Sequence, residues 1–258
     1  MNIESINNYT IEDKYIYNSA STTKGTQIKY KMDNYFYKLD RMGREGFVEY
    51  LVTTLLSHST LKPEEYVSYE YCMINGHDGC KSENFLRDGE EFVTIHSLYQ
   101  KFTGNSDFAD YLMTKRDAGE RLDTILELIC GLGIPVEEFR HYLNVLVQID
   151  LLIANTDRHV HNYGVIISNE TGFRMAPVFD NGRSLCTDHS NITASCTLSG
   201  SFEEQVTAFG YPVEVCFRID YDGLYEELEI IEKRYNKGIE IITLRNRLKE
   251  YEDIFRLK

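Results

Sequence analysis

The chain has 258 residues, with 27 Lys and Arg set against 41 Asp and Glu for a net charge of −14. No segment is basic enough to lay a cationic stripe along a phosphate backbone, so direct nucleic-acid binding is not expected. An acidic body still admits a nucleotide where magnesium and a few fixed cations neutralise the phosphates.

The length allows one large domain or two unequal lobes around a cleft. The opening "MNIESINNYTIEDKYIYNSA" has neither the charged start nor the apolar run of a secretion signal. The longest apolar stretch, "YLNVLVQIDLLIAN", is broken by Asn144, Gln148 and Asp150 and is too short to span a bilayer. A cytoplasmic protein is expected. Cys72, Cys80, Cys130, Cys186, Cys196 and Cys216 are scattered, with no C-x-x-C pair, and read as buried or half-buried thiols of a reducing compartment.

In chain order, "KYIYNSA", "TQIKYK", "YFYKLD" and "YVSYEYCMI" read as strands, with "MDN" at 32–34 as a hairpin turn between the second and third. Between them, "GFVEYLVTTLLSHS" repeats its apolar residues at helical spacing from Phe47 to Leu56. Further on, "ERLDTILELICGLG" predicts a helix closed by the glycines at 131 and 133. Pro135 suits the first turn of a longer helix through "VEEFRHYLNVLVQIDLLIAN", apolar over most of its circumference and hence central. The polar stretch "NTDRHVHNYG" follows, then "YGVII", a turn at "SNETG", and "FRMAPVF", which predict a hairpin that ends at Asp180. The tail reads as two amphipathic helices broken near Asn236–Gly238. The expected class is α+β with a two-lobed, protein-kinase-like order. Residues 1–102 form a β-rich nucleotide-binding lobe with one main helix, and residues 103–258 a mainly helical catalytic lobe.

Phosphoryl transfer from ATP needs a carboxylate near the acceptor hydroxyl and oxygen ligands that hold magnesium against the phosphates. Asp157 and Asn162, five apart on a loop after a rigid helix, and Asp180 after a short hairpin, match that need. Each aspartate alone would more often cap a turn. Lys38 sits on a strand where an inward lysine requires a partner. That partner is a phosphate together with a carboxylate of the following helix, Glu49 in preference to Glu45, which could instead cap the helix. The segment "SASTTKGTQ" offers Ser21, Thr22, Thr23, Lys24 and Gly25 as an anion-binding loop, though with one glycine a plain polar hairpin fits it as well. Asp157, His159 and His161 alternate as a transition-metal face would, but His58, His77, His96, His141 and His189 form no supporting cluster.

"NTDRHVHNYG" followed by "MAPVFDNGRSL" resembles the signature of the HipA-like Ser/Thr kinases, and "GCKSENFL" at 79–86 resembles a segment of compact members. The resemblance implies a two-lobed kinase fold, ATP and Mg2+ as cofactors, Asp157 as catalytic base, and Asn162 and Asp180 as metal ligands. It also implies a Ser/Thr phosphate loop at "STTKG" followed by the strand lysine, Lys38. Related loops autophosphorylate on a serine, which makes Ser21, Thr22 or Thr23 the matching positions.

The chain has no room for the additional N-terminal subdomain of longer HipA toxins, and its order is Asp-Arg-His where eukaryotic kinases have His-Arg-Asp. Toxin activity, a DNA-binding antitoxin and a tRNA-synthetase substrate therefore do not follow. A protein or peptide bearing Ser or Thr is the expected substrate, and an antitoxin-type regulator is left open as a partner. The same chemistry serves a small-molecule or biosynthetic-peptide kinase, and a catalytically silent nucleotide-binding module is the alternative from another class.

Overall fold

The Tyr- and Val-rich runs of the first ninety residues pair into one sheet, in a computed structural model that describes residues 6–17, 27–170, 172–185, 198, 201–210 and 214–257. Strands β1 (Asn8–Tyr9), β2 (Lys29–Met32), β3 (Tyr35–Leu39), β4 (Tyr69–Ile74) and β5 (His77–Glu83) lie in the order β1-β4-β5-β3-β2. Two hairpins set its register. Met32 pairs with Tyr35 around Asp33–Asn34, and Ile74 with His77 around Asn75–Gly76. Asp33, Asn75 and Gly76 all take positive φ, as two-residue hairpin turns demand.

Of the strand expected at "KYIYNSA", only residues 14–17 are described, and they begin in a turn instead. Hydrogen bonds from Tyr15 N to Glu12 O and from Ile16 N to Asp13 O close a tight 3-10 turn at Asp13–Tyr15. Ile16 then bridges Tyr30, and the Tyr17 amide donates to Lys29 O at 2.8 Å.

Helix α1 (Glu45–Ser57) lays Phe47, Val48, Leu51, Val52, Leu55 and Leu56 against β4 and β5. Its start approaches β5 more closely than any side chain would allow. A Cβ on Gly46 would sit 2.4 Å from the carbonyl carbon of Gly79, and one on Gly79 would sit 2.4 Å from Lys38 O. The stack of helix, β5 and β3 therefore rests on two glycines. This contact fixes α1 relative to the strand that carries Lys38.

A second sheet joins β6 (Glu90–Thr94), β7 (Gly164–Ser168) and β8 (Gly172–Met175) in that order. The expected hairpin is β7–β8, whereas β6 was not foreseen because "EEFVT" is too short and too polar to stand out. Strand pairing changes sheets between β5 and β6, upstream of residue 102, and the next helix, α2 (Ile95–Thr103), crosses that position. After it come α3 (Phe108–Met113), α4 (Ala118–Gly131), α5 (Val136–Ile153), α6 (Phe202–Thr207), α7 (Tyr221–Arg234) and α8 (Gly238–Phe255). Helices α4, α5, α7 and α8 match the periodicity of their segments, while α2, α3 and α6 were not read. Pro135 stands at the N-cap of α5 and not inside its first turn, and Gly133 takes φ +71° just past α4.

Helix α5 is the axis of the core. Every residue from Tyr142 to Ile153 is buried, polar ones included, and one apolar cluster runs from Phe47 of α1 through α5 to Phe255 of α8. Gln148 is satisfied inside it by Asn144 Oδ1, Glu214 O and the Cys216 amide. No helix among the described residues is long and apolar enough to cross a membrane. Cys72 and Cys80 are buried and Cys216 half-buried, but Cys130 is exposed, contrary to expectation, because α4 turns Leu122, Ile125 and Ile129 inward instead. Cys186 and Cys196 lie outside the described residues.

Two stability outcomes follow from the α1 contact. Gly46→Ala or Gly79→Ala should lower unfolding free energy by about 1–3 kcal/mol, since overpacking forces backbone apart, as read from urea denaturation midpoints. Asp40 Oδ1 accepts the Gly46 amide at 2.6 Å, and burial, with Glu45 and Asp78 nearby, pushes its carboxyl up to about 6. The folded state thus holds a proton that the unfolded chain has lost, so stability falls as pH rises from about 4 to about 6. Asp40→Asn, which keeps the acceptor, should melt higher than the parent at pH 8 and alike at pH 4.

Candidate active site

Helix α5 ends abruptly. Ala154 takes φ +49°, a left-handed conformation costly for any residue but glycine, and turns the chain into the polar loop. Asn155, wholly buried, donates from Nδ2 to Asp150 Oδ1 (3.0 Å) and accepts the Asp157 amide on its own Oδ1 (3.0 Å). At the far end, buried Asn162 donates to Asp157 O (3.1 Å) and accepts the His159 amide (2.9 Å). The two asparagines thus lace the loop from within. Helix α2 supports it from outside, through Ile95 N to Tyr163 O and His96 N to Val160 O, both 3.1 Å. The Asp157 carboxylate takes no hydrogen bond from any described residue, and it stands half-exposed on this braced backbone.

Arg158 was read only as part of a reversed motif, yet it is the largest fully buried side chain of the described chain. Its guanidinium meets Asp150 through Nε and Nη2 (3.1 Å each at closest), Phe179 O through Nη1 (2.6 Å) and Asn181 Oδ1 through Nη2 (2.6 Å). Burial pushes the Asp150 carboxyl up, with Arg158 and Asn155 opposing. The residue beside Asp157 is thereby bonded to both neighbours of Asp180. That is how the loop after α5 and the segment after β8 are brought together. The sequence signal available was the spacing of Asp150 and Arg158 across a helix end, which no periodicity marks.

Asp180 takes φ +63°. Just before it, the Val178 amide donates to Glu65 O (2.8 Å) and its carbonyl accepts Val67 N (2.9 Å), which ties the segment to residues 65–67 leading into β4. Asp180 Oδ1 accepts from Lys38 Nζ at 2.9 Å. Lys38 is buried, and also donates to Tyr69 OH (3.3 Å) and Glu49 Oε1 (3.4 Å). Glu49 in turn accepts the Asn181 amide on Oε2 (3.0 Å). Glu49, on the inner face of α1, is therefore the carboxylate that faces Lys38. Glu45 instead accepts the Met42 and Arg44 amides at the start of the helix.

Burial alone would lower the Lys38 pKa, but Asp180, Tyr69 and Glu49 outweigh it and hold the ammonium charged. Burial raises Glu49 despite Lys38. Asp180 is held well below the usual carboxylate range, since Lys38 and then Lys29 overcome its burial.

Lys38, Glu49 and Asp180 thus meet in one cluster, and Asp157 and Asn162 stand on the loop tied to it. Ser21, Thr22, Thr23, Lys24 and Gly25 lie outside the described residues. Asp180 Oδ2 and the second lone pair of Asn162 Oδ1 take no hydrogen bond from described residues, and such hard oxygen donors suit magnesium. The transition-metal face is not assembled. Among the described residues no three His, Cys, Asp or Glu groups are placed to hold a metal, and His161 packs against His96 with ring centres 4.2 Å apart and planes tilted by 43°.

No model of a known protein family and no curated protein matches the sequence. Solved structures do match. The proinflammatory kinase CtkA of Helicobacter pylori superposes with a TM-score of 0.66 at 17% identity, over 97% of this chain and 95% of that one.

The chain has a two-lobed kinase fold.

HipA of Shewanella oneidensis MR-1, solved with HipB and operator DNA, is also similar, with a TM-score of 0.45 at 14% identity, over 94% of this chain and 64% of that one. The fold expected from the sequence is the one observed.

Removing Arg158 should test how the site is held together. Arg158→Met strands a buried carboxylate and should cost about 3–5 kcal/mol of stability, whereas Arg158→Met combined with Asp150→Leu should recover much of it. A double-mutant cycle by thermal unfolding gives the coupling.

Proposed function

We propose that the protein is an ATP- and magnesium-dependent phosphotransferase, a HipA-like kinase acting on Ser or Thr of a protein or peptide. The observation that carries this reading is the Lys38–Glu49–Asp180 cluster bonded through Arg158 to the loop of Asp157 and Asn162. Kinase chemistry needs these side chains in these relative places, and the kinase fold supports the same reading.

Asn162 and Asp180 would hold magnesium, which supplies charge neutralisation at the phosphates when bound. Lys38 is charged and held beside Glu49 before any nucleotide arrives. In the present arrangement its nearest partner is Asp180. Engagement of Asp180 with a cation would weaken that bond and free one donor of the ammonium for a phosphate oxygen. Asp157, whose carboxylate on a braced loop takes no hydrogen bond from described residues, accepts the proton of the acceptor hydroxyl as its oxygen bonds the γ-phosphorus and the bond to the β,γ-bridging oxygen breaks, releasing ADP. Asn162 keeps the Asp157 backbone in place through its bond to Asp157 O. The phosphate-loop residues Ser21, Thr22 and Thr23 are the positions proposed for autophosphorylation, with Lys24 and Gly25 completing that loop. An antitoxin-type regulator is a proposed partner.

Asp157→Asn should leave melting temperature and Mg-ATP-induced stabilisation unchanged while reducing phosphate transfer from labelled ATP at least about 100-fold, the scale of general-base catalysis. Transfer at the parental rate would remove Asp157 from the mechanism. Stabilisation of the parent by Mg-ATP with neither phosphoprotein nor ADP formed would favour a silent nucleotide-binding module.

A further inference from the structure

Directly across the β2–β3 pair from Lys38 stands a second lysine, Lys29. Opposed residues of an antiparallel pair present their side chains on one face, and like charges so placed repel each other. Lys29 therefore shares the face on which Lys38 meets Glu49 and Asp180, and it is half-buried there.

Burial, then Lys38, pushes its ammonium pKa down, while Asp180 and Glu49 pull it up. Among the cations that keep Asp180 ionised, Lys29 comes second only to Lys38. Lys38 has three hydrogen-bond acceptors. The Lys29 ammonium, by contrast, has neither a hydrogen bond nor an ion pair with any described residue; only its backbone is bonded, its carbonyl accepting the Tyr17 amide at 2.8 Å.

An edge strand ordinarily carries lysines that face water. Lys31, two residues on and on the same face, behaves that way: it is exposed, with its ammonium over the rings of Tyr17 and Phe36 at 5.7 and 5.3 Å. Lys29 does not. It is half-buried, stands opposite another lysine in the strand register, and its ammonium has no partner among the described residues. Two ammonium groups in this position repel each other until an anion lies between them. A carboxylate of Asp180 that turns to a cation leaves them without that balance.

We infer that Lys29 and Lys38 form a two-lysine cradle for the polyphosphate of a nucleotide, with Lys29 as a second phosphate-binding residue. This rests on the kinase reading only for the identity of the nucleotide, since the cradle itself is specified by charge and strand register. Lys38 is tied to α1 through Glu49, so it can serve one phosphate without leaving its place. Lys29 has no such tie, and its donors are available to the other phosphates. The cradle thus discriminates by phosphate number, as one fixed lysine does not.

The test is calorimetric titration of the full chain with Mg-ATP, Mg-ADP, AMP and inorganic tripolyphosphate, for the parent and for Lys29→Gln, Lys29→Arg and Lys31→Gln, with melting temperatures recorded alongside. Lys29→Gln should weaken Mg-ATP and tripolyphosphate by about ten-fold or more, the scale of a charge-assisted hydrogen bond, with AMP unchanged within about two-fold. Lys29→Arg should restore most of the loss, and Lys31→Gln should change little because an exposed charge is screened.

A parent that binds these ligands while Lys29→Gln binds them equally well overturns the cradle. So does a loss shared equally by AMP, or an equal loss from Lys31→Gln, which would mark a general field and not a contact. Lys29-dependent binding of tripolyphosphate without ATP binding keeps the cradle and removes the kinase reading. A parent that binds none of the four overturns both.

Discussion

The ion pair between Asp150 and Arg158 is the constraint on which the rest of the site depends. A guanidinium with no exposure to water must find its partners inside the protein, and each of its three nitrogens does so, on three segments at once: helix α5, the carbonyl before Asp180, and the side chain after it. A buried pair of this kind contributes little net stability compared with apolar residues of equal size, because desolvation offsets most of the attraction. Its value is geometric. Only one relative placement of the loop after α5 and the segment after β8 satisfies all of these bonds, so Asp157 and Asp180 inherit a fixed relation from a residue between them that performs no chemistry itself.

A second set of constraints places the first sheet over that platform. Helix α1 meets β5 through Gly46 and Gly79 with no side chain between, and β5 meets β3 through Gly79 and Lys38 O. These contacts put Glu49 beside Lys38. Glu49 then reaches across to the Asn181 amide, and Lys38 to the Asp180 carboxylate. A line of buried polar groups therefore runs from Asp150 through Arg158, Asn181 and Glu49 to Lys38. Each member is charged or hydrogen-bonded because its neighbour is, and in so little water the pairs hold the charges that catalysis would use. Arg44, which donates to the carbonyls of Ser184 and Leu185, binds the start of α1 to the same segment.

Much of this organisation is legible in the sequence because it follows from local chemistry. The apolar circumference of "YLNVLVQIDLLIAN" predicts the central helix, and the hydrophobic spacing of "GFVEYLVTTLLSHS" predicts α1. The turn residues at Asp33–Asn34 mark one hairpin, and the short strands before Asp180 mark another. What escaped had weak local signals. Strand β6 is five residues with two glutamates and is a strand because β7 offers it a partner. Lys14 and Tyr15 open the segment "KYIYNSA", whose tyrosines and isoleucine favour a strand, but they close into a turn through backbone hydrogen bonds. Cys130 looked like a core thiol and faces solvent by its phase on α4.

The sequence by itself determined the order of elements, the acidic character of the chain and the residue types at the site, since helix periodicity, turn chemistry and charge are properties of neighbouring residues. Only the tertiary structure decided which residues meet. The choice of Glu49 over Glu45 is a matter of which face of α1 turns to β3, and the face is set by the Gly46–Gly79 contact. Arg158, four residues past Ala154, matters because burial forces it to bond residues more than twenty positions away. Lys29 faces Lys38 because strand register, which depends on a two-residue turn and on pairing across the whole sheet, sets them opposite each other. Long-range pairing is a collective outcome of packing, and no single segment of the chain encodes it.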